Sequence, residues 1–182
     1  MPHVYQPAED SQLILKHAYP KFRGSILDMG TGSGYLAIEA TFHPAVTNVV
    51  AIDINPESVK ATKLRARFRG VEVDVRQGDL FKPIHDETFD LIMFNAPYLP
   101  SERESDESSW SGGIIGKEIL VKFLNEALKY LNPDGEILII YSDQTGISDD
   151  DLSKNYCYKI LEEYPLFYER LFCVLLRPRY PF

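Results

Sequence analysis

The sequence predicts an α/β fold: a mostly parallel sheet, closed by one antiparallel strand and covered by helices on both faces. Three observations predict it. Short β-branched runs alternate along the chain with stretches of helical periodicity. Two of those runs, Phe89–Phe94 and Glu136–Tyr141, are almost continuously apolar, the pattern of strands buried on both faces. The first run ends in a glycine-rich turn, Asp28-Met29-Gly30-Thr31-Gly32-Ser33-Gly34, that leads into helical periodicity and so marks a strand-turn-helix unit.

The elements follow in order. A helix is expected over Ala8–Ala18 and a strand over Ser25–Met29. After the glycine turn a helix should cover Gly34–Thr41, and a strand Asn48–Asp53 completes a βαβ unit. Asn55-Pro56 supplies an N-cap and a proline at the first helical position, and Gly70 ends that helix. Val71, Val73 and Val75 alternate with polar residues and predict an edge strand. Pro97–Gly113, rich in Ser, Glu and Gly, is a long loop, and loops of that length in compact domains usually serve function. Ile119, Leu120, Phe123, Leu124, Ala127, Leu128 and Leu131 form the apolar stripe of a helix stopped by Asn132-Pro133-Asp134-Gly135. A last helix is expected over Asp149–Glu163 and a closing strand over Glu169–Arg177.

Composition narrows the classes of function. The 182 residues fit one domain, 1–182, and the hydrophobic content of 45% is ample for a layered core. With 19 basic against 27 acidic side chains the net charge is -8, which argues against nucleic acid held by diffuse attraction to phosphates. Cys157 and Cys173 stand without CxxC or histidine spacing, so two reduced thiols in a cytoplasmic protein are expected, with no metal. The beginning MPHVYQPAED lacks a leader's basic and apolar regions, and no apolar run is long enough to span a membrane.

Chemistry concentrates at the carboxyl ends of the expected strands, where open α/β sheets bind ligands. Gly30, Gly32 and Gly34 allow the backbone a tight turn and a close approach to a ligand. They depart from the dinucleotide spacing G-x-G-x-x-G, and Asp28, two positions ahead of them, suits an ammonium group better than a pyrophosphate. Asp53 ends the second strand, where a carboxylate accepts both hydroxyls of a ribose or, alternatively, caps a helix. Asp79 and Leu80 follow the third strand and suit an adenine amino group and ring; singly, Asp79 serves a turn equally well. Together these residues describe a pocket for methionine, ribose and adenine moieties, and no Walker lysine accompanies them.

DMGTGSG, AIDIN, GDL and FNAPY, in this order, resemble the class I S-adenosylmethionine-dependent methyltransferases with their Rossmann-like three-layer α/β/α sandwich. FNAPYLP is similar to the Asn-Pro-Pro-Tyr motif of enzymes that methylate glutamine, adenine or cytosine nitrogens, with Ala96 in place of the first proline. Tyr5-Gln6-Pro7-Ala8-Glu9-Asp10-Ser11 and Trp110-Ser111-Gly112-Gly113 resemble segments of the HemK/PrmC-like protein-glutamine methyltransferases, in particular their short archaeal and eukaryotic branch. The resemblance implies cofactor contacts at Ser11, Asp28, Gly30, Asp53, Asp79, Leu80 and Asn95, with residues 1–20 as a lid segment. It also implies methylation of the glutamine in the Gly-Gly-Gln loop of a translation release factor, and a small zinc-binding activator protein at the sheet edge near Val71–Val75.

An amide nitrogen is a weak nucleophile, because its lone pair is delocalised into the carbonyl. Catalysis must therefore orient it and hold it still. The Asn95 side-chain oxygen and the Ala96 carbonyl can each accept one N–H of a planar NH₂ group, Pro97 fixes the backbone, and Tyr98 packs on the flat group. A nucleobase amino group has the same geometry, so nucleic-acid N-methylation is an alternative that the acidic charge disfavours. Protein lysine is another, although its amine must first lose a proton. Glu9 and Asp10 read either as ordering the lid or as acids at a helix start.

Overall fold

The structure is a computed structural model and describes residues 9–96 and 112–179, with the side chains of residues 112–115 outside the description. Seven strands form one sheet in the order β3-β2-β1-β4-β5-β7-β6. They are β1 Gly24–Met29, β2 Val46–Asp53, β3 Asp74–Gln77, β4 Phe89–Asn95, β5 Leu131–Ser142, β6 Tyr156–Pro165 and β7 Arg170–Pro178. The pairings β1–β2, β1–β4, β2–β3 and β4–β5 are parallel, whereas β7 runs antiparallel to both β5 and β6. One reversed strand thus closes an otherwise parallel sheet, as the apolar runs predict.

Helices α1 Glu9–Ala18, α2 Tyr35–Thr41 and α3 Pro56–Arg69 cover one face, and α4 Gly112–Ala127 and α5 Asp149–Ser153 the other. The period of two along each strand sends alternate side chains into separate cores. In β4, Ile92 and Phe94 pack with Leu120 and Phe123 of α4, while Leu91 and Met93 pack with Leu13 and Ile14 of α1. Both sets are buried, which is why the run lacks polar alternation. Helix α3 begins and ends where its caps dictate: Asn55 accepts from the Glu57 N–H, and Gly70 takes the left-handed conformation at φ 68°.

Three expected elements need correction. The helix expected to reach Leu131 ends at Ala127, and Leu131 with Asn132-Pro133-Asp134-Gly135 lies in β5, where Leu131 pairs with Phe89. The edge strand at Val71–Val75 is an edge, but only Asp74–Gln77 pairs with β2, and Val71 and Val73 precede it. The valine alternation extends beyond the ladder, whose register runs from Val50–Asp74 to Asp53–Gln77. The helix expected over Asp149–Glu163 stops at Ser153, and β6 takes Tyr156–Pro165. A Ser148/Asp151 capping box launches the short helix, but the following Tyr156-Cys157-Tyr158-Lys159-Ile160 suits a pleated surface. Pairing with β7 and a bond from the Tyr156 hydroxyl to the Leu124 carbonyl then fix it as a strand.

Candidate active site

Parallel strands β1 to β4 end on the same rim, and the chain departs from β1 and β4 toward opposite faces of the sheet. This is the switch point where open α/β sheets form a crevice. The glycine turn opens it. Gly30, Gly32 and Gly34 lie at φ 65°, 55° and 78°, conformations a side chain resists. Thr31 N–H donates to the Ile52 carbonyl at 3.0 Å, tying the turn to β2.

Gly34 caps α2 without a side chain, and Asp28 of β1 supplies the missing acceptor. Its Oδ2 accepts from the Thr31 hydroxyl at 2.6 Å and from the Ala37 N–H, in the first turn of α2, at 3.1 Å. Burial raises this carboxyl to about 7; the bonds from Thr31 and Ala37 pull the other way, and nearby Asp53 adds to the rise.

Beneath the rim lies a cavity of about 390 Å³, within the range of small-ligand sites. Gly30 and Gly32 form one wall, Asp53, Asn55 and Ser58 another, and Gly78, Asp79 and Leu80 a third. Phe94, Asn95, Ala96 and Ile119 complete it, and Asp10 reaches it from α1. A larger hollow of about 720 Å³ lies at the opposite end of the strands, beside Lys21, Glu136 and Arg177. There Glu136 pairs with both cations, so its charge is already answered.

The acidic residues are individually anchored. Asp53 accepts the Gly32 N–H on Oδ2 and the Asn55 N–H on Oδ1, each at 2.8 Å. Burial raises its pKa, opposed by those same donors. Asp79 Oδ2 lies 2.9 Å from the ammonium groups of both Lys122 and Lys82, which hold its pKa below the ordinary carboxylate range. Leu80 sits at φ 50°, an unusual conformation for a branched side chain, and is buried against the cavity.

Asn95 ends β4, and Ala96 N–H donates to the Ile140 carbonyl at 3.1 Å, so the backbone leaves the strand in a fixed direction. The Asn95 Nδ2 donates to Oδ2 of Asp10 at 3.0 Å. Only the NH₂ half of an amide can face a carboxylate in this way, so the partner atom Oδ1 is oriented by elimination. That Oδ1 is buried and has no hydrogen-bond partner among the described residues. A buried acceptor left unmatched is costly in a folded protein and marks a place for a donor from elsewhere.

The structure therefore gathers Gly30, Gly32, Asp53, Asp79, Leu80, Asn95 and Ala96 around one cavity. It sets Asp28, Ser11 and Gly34 outside the lining: Asp28 holds α2, Ser11 N–H donates to Asp10 Oδ1, and Gly34 packs against Thr62. Pro97 and Tyr98, with Tyr5, Pro7, Trp110 and the acidic stretch 101–109, lie outside the described residues. Sequence reasoning left Asp10 undecided between lid and helix start; its burial at 2% and its bond to Asn95 place it in the site. Lys82 and Lys122 carried no signal in the sequence, since lysine on a helix or turn usually faces solvent.

Comparison with known proteins places the chain in a family. Residues 7–158 match the methyltransferase small domain family. Over 150 residues the chain is 39% identical to a Methanocaldococcus jannaschii protein provisionally named protein N5-glutamine methyltransferase, spanning 80% of this chain and 75% of that one. It is 33% identical to the Homo sapiens methyltransferase HEMK2 over 75% of this chain and 71% of the other. It covers 53% of the Geobacter sulfurreducens release factor glutamine methyltransferase, at 29% identity, and so spans about half the length of that relative. Among solved structures, the E. cuniculi Mtq2-Trm112 complex, responsible for methylating the termination factor eRF1, superposes with a TM-score of 0.70. That match has 20% identity and covers 96% of this chain and 98% of the other. The T. thermophilus 16S rRNA N2 G1207 methyltransferase, solved with AdoMet and guanosine, superposes at 0.75 over 96% of this chain and 44% of its own, at 16% identity. Both structural likenesses speak to the fold. With a family match running from residue 7 to residue 158 and 39% identity to a relative across 80% of this chain, the protein belongs to the methyltransferase small domain family.

Proposed function

We propose that this protein transfers a methyl group from S-adenosylmethionine to the side-chain nitrogen of the glutamine in the Gly-Gly-Gln loop of a translation release factor. The observation that carries the reading is Asn95 Oδ1, a buried acceptor without a partner among the described residues, oriented by Asp10 at the edge of the cavity. Relatives named as glutamine methyltransferases support the substrate class.

The residues present fit the cofactor. The turn at Gly30 and Gly32 would receive its methionine end, Asp53 its ribose hydroxyls, and Asp79 with Leu80 its adenine. The two lysines at Asp79 keep that carboxylate an acceptor. Asp28, Ser11 and Gly34 serve by holding the walls in place: Asp28 carries α2, Ser11 braces Asp10, and Gly34 lets α2 approach α3. When bound, S-adenosylmethionine supplies an electrophilic methyl on sulfur. The protein's share is position and polarity. Asn95 Oδ1 and the Ala96 carbonyl accept the two N–H groups of the glutamine amide, which turns the nitrogen lone pair toward the methyl and favours an NH₂ group over a hydroxyl. Pro97 would fix the acceptor backbone and Tyr98 pack against the planar group.

A second reading, lysine methylation, is favoured by one observation, the buried carboxylate of Asp10 beside Asn95, which suits an amine that must shed a proton. The test incubates the protein with labelled S-adenosylmethionine, a release factor and total tRNA, followed by mass spectrometry of the products. Label on the Gly-Gly-Gln glutamine is expected. Label confined to lysine or to RNA would overturn the assignment.

A small zinc-binding activator is proposed for the β3 edge. Among the described residues this strand pairs on one side only, with β2, and α3 beside it exposes Leu64 at 69% and Phe68 at 88%. The solved Mtq2-Trm112 complex supports a partnered enzyme of this fold. A chain that is monomeric, soluble and as active alone as with its candidate partner would contradict this. Its place is proposed to be the cytoplasm, on its two unpaired cysteines; among the described residues no helix is long and apolar enough to cross a membrane.

A further inference from the structure

Two-residue hairpin turns favour Asn, Asp and Gly, whose backbones tolerate the geometry. The β6–β7 hairpin carries Phe167 and Tyr168 there, between Leu166 and Glu169, whose N–H and carbonyl close the turn at 2.8 Å. The two rings meet edge to face with centroids 4.7 Å apart, yet they are 90% and 85% exposed. Two large aromatics stay in water here although turn chemistry asks for neither.

The tip is also held firmly. Gln144 Nε2 donates to the Tyr168 carbonyl at 2.9 Å, and Arg170 N–H donates to Asp143 Oδ1 at 3.1 Å, both tying it to the segment that follows β5. Because β6 runs parallel to β4 and β5, this tip stands on the rim that carries Asn95. Register places Cys173 level with Ile140 and hence with Asn95. The aromatic pair thus rises roughly 15 Å above Asn95 and about 10–14 Å to its side, on ordinary strand spacings. A side chain seated at Asn95 would need a folded partner, rather than a few flanking residues, to reach it. Among the described residues, Asp143 accepts the Arg170 N–H at the tip, Glu169 lies in the turn itself, and the Arg170 guanidinium is already paired with Glu163 at 3.1 Å. The surface is aromatic and acidic, which suits lysine or arginine side chains stacked on rings.

We propose that Phe167 and Tyr168 form a docking post for the folded protein substrate, receiving a basic surface of that protein at a distance from the methylated residue. The proposal rests on the glutamine-methyltransferase reading. The test compares wild type with Phe167→Ser/Tyr168→Ser and with an aromatic-retaining Phe167→Tyr/Tyr168→Phe variant. Each is assayed on an intact release factor and on a short Gly-Gly-Gln peptide. For the serine variant the KM for the intact factor should rise about tenfold at unchanged kcat. Its KM for the peptide and its affinity for S-adenosylmethionine should stay at wild-type values, and the aromatic variant should behave as wild type. An unchanged KM for the factor would overturn the docking post alone, as would an equal rise for the peptide, or loss of self-association with KM intact. A wild-type protein that places no methyl on the factor would overturn the glutamine reading and this proposal with it.

Discussion

Asp10 holds one half of the Asn95 amide, and in the proposed mechanism the other half meets the substrate. In Asp10→Ala the amide loses its anchor and rotates among alternatives, and misplacement of a positioning group by about 1 Å can cost on the order of 100-fold in rate. Methyl transfer by Asp10→Ala should therefore fall in kcat by at least tenfold. Asp10→Asn, which still presents an oxygen to Nδ2, should recover part of the loss in steady-state assays. Asp28 leads to a pH effect. Burial raises its carboxyl from 3.8 to about 7, so the folded protein binds that proton more tightly than the unfolded chain. The resulting stabilisation is fully present below about pH 4 and is lost as pH climbs through 7. Asp28→Asn keeps a side-chain acceptor for Thr31 and Ala37 but has no proton to lose. Between pH 5 and pH 8 wild type should lose up to a few kcal/mol that the variant keeps, read from urea unfolding at the two pH values.

At the scale of elements, the turn and caps decide where helices start. A Cβ on Gly34 would lie 2.6 Å from Thr62 Cγ2 and 2.9 Å from its hydroxyl, at a φ of 78° that disfavours any side chain. Gly34→Ala should destabilise the protein by roughly 2–4 kcal/mol in urea unfolding, from left-handed strain and overpacking together. Asn55→Ala, which removes the α3 cap, should cost about 1 kcal/mol. These elements were legible in the sequence because local chemistry specifies them: Asn55-Pro56, Gly70 and the glycine turn each encode a boundary. Strand β6 was not legible. Lys159-Ile160-Leu161-Glu162-Glu163 permits a helix as readily as a strand, and the choice falls to β7, which pairs with it only once the chain has folded back. Strand β3 is likewise set by pairing, since the valine alternation starts at Val71 whereas the ladder with β2 starts at Asp74.

For the molecule as a whole, the order of strands brings residues far apart in sequence to one rim, and this is where the sequence was partly silent. Gly30, Asp53, Asp79 and Asn95 were legible because each ends or directly follows one of the neighbouring parallel strands. The pairing of Asp10 with Asn95, 85 positions apart, and the approach of Lys122 to Asp79 depend on how α1 and α4 lie over that sheet, which no local pattern records, whereas Lys82 meets Asp79 within the turn after β3. The net charge of -8 fits a basic protein surface better than a phosphate backbone, so transfer to a release factor should weaken as salt rises. The most direct test is a crystal structure with S-adenosylhomocysteine and a Gly-Gly-Gln peptide. The adenosyl group is expected between the glycine turn and Asp53, Asp79 and Leu80, with the glutamine amide donating to Asn95 Oδ1 while Asp10 retains Nδ2. An adenosyl group bound elsewhere, or a glutamine amide that leaves Asn95 Oδ1 unpaired, would contradict the account.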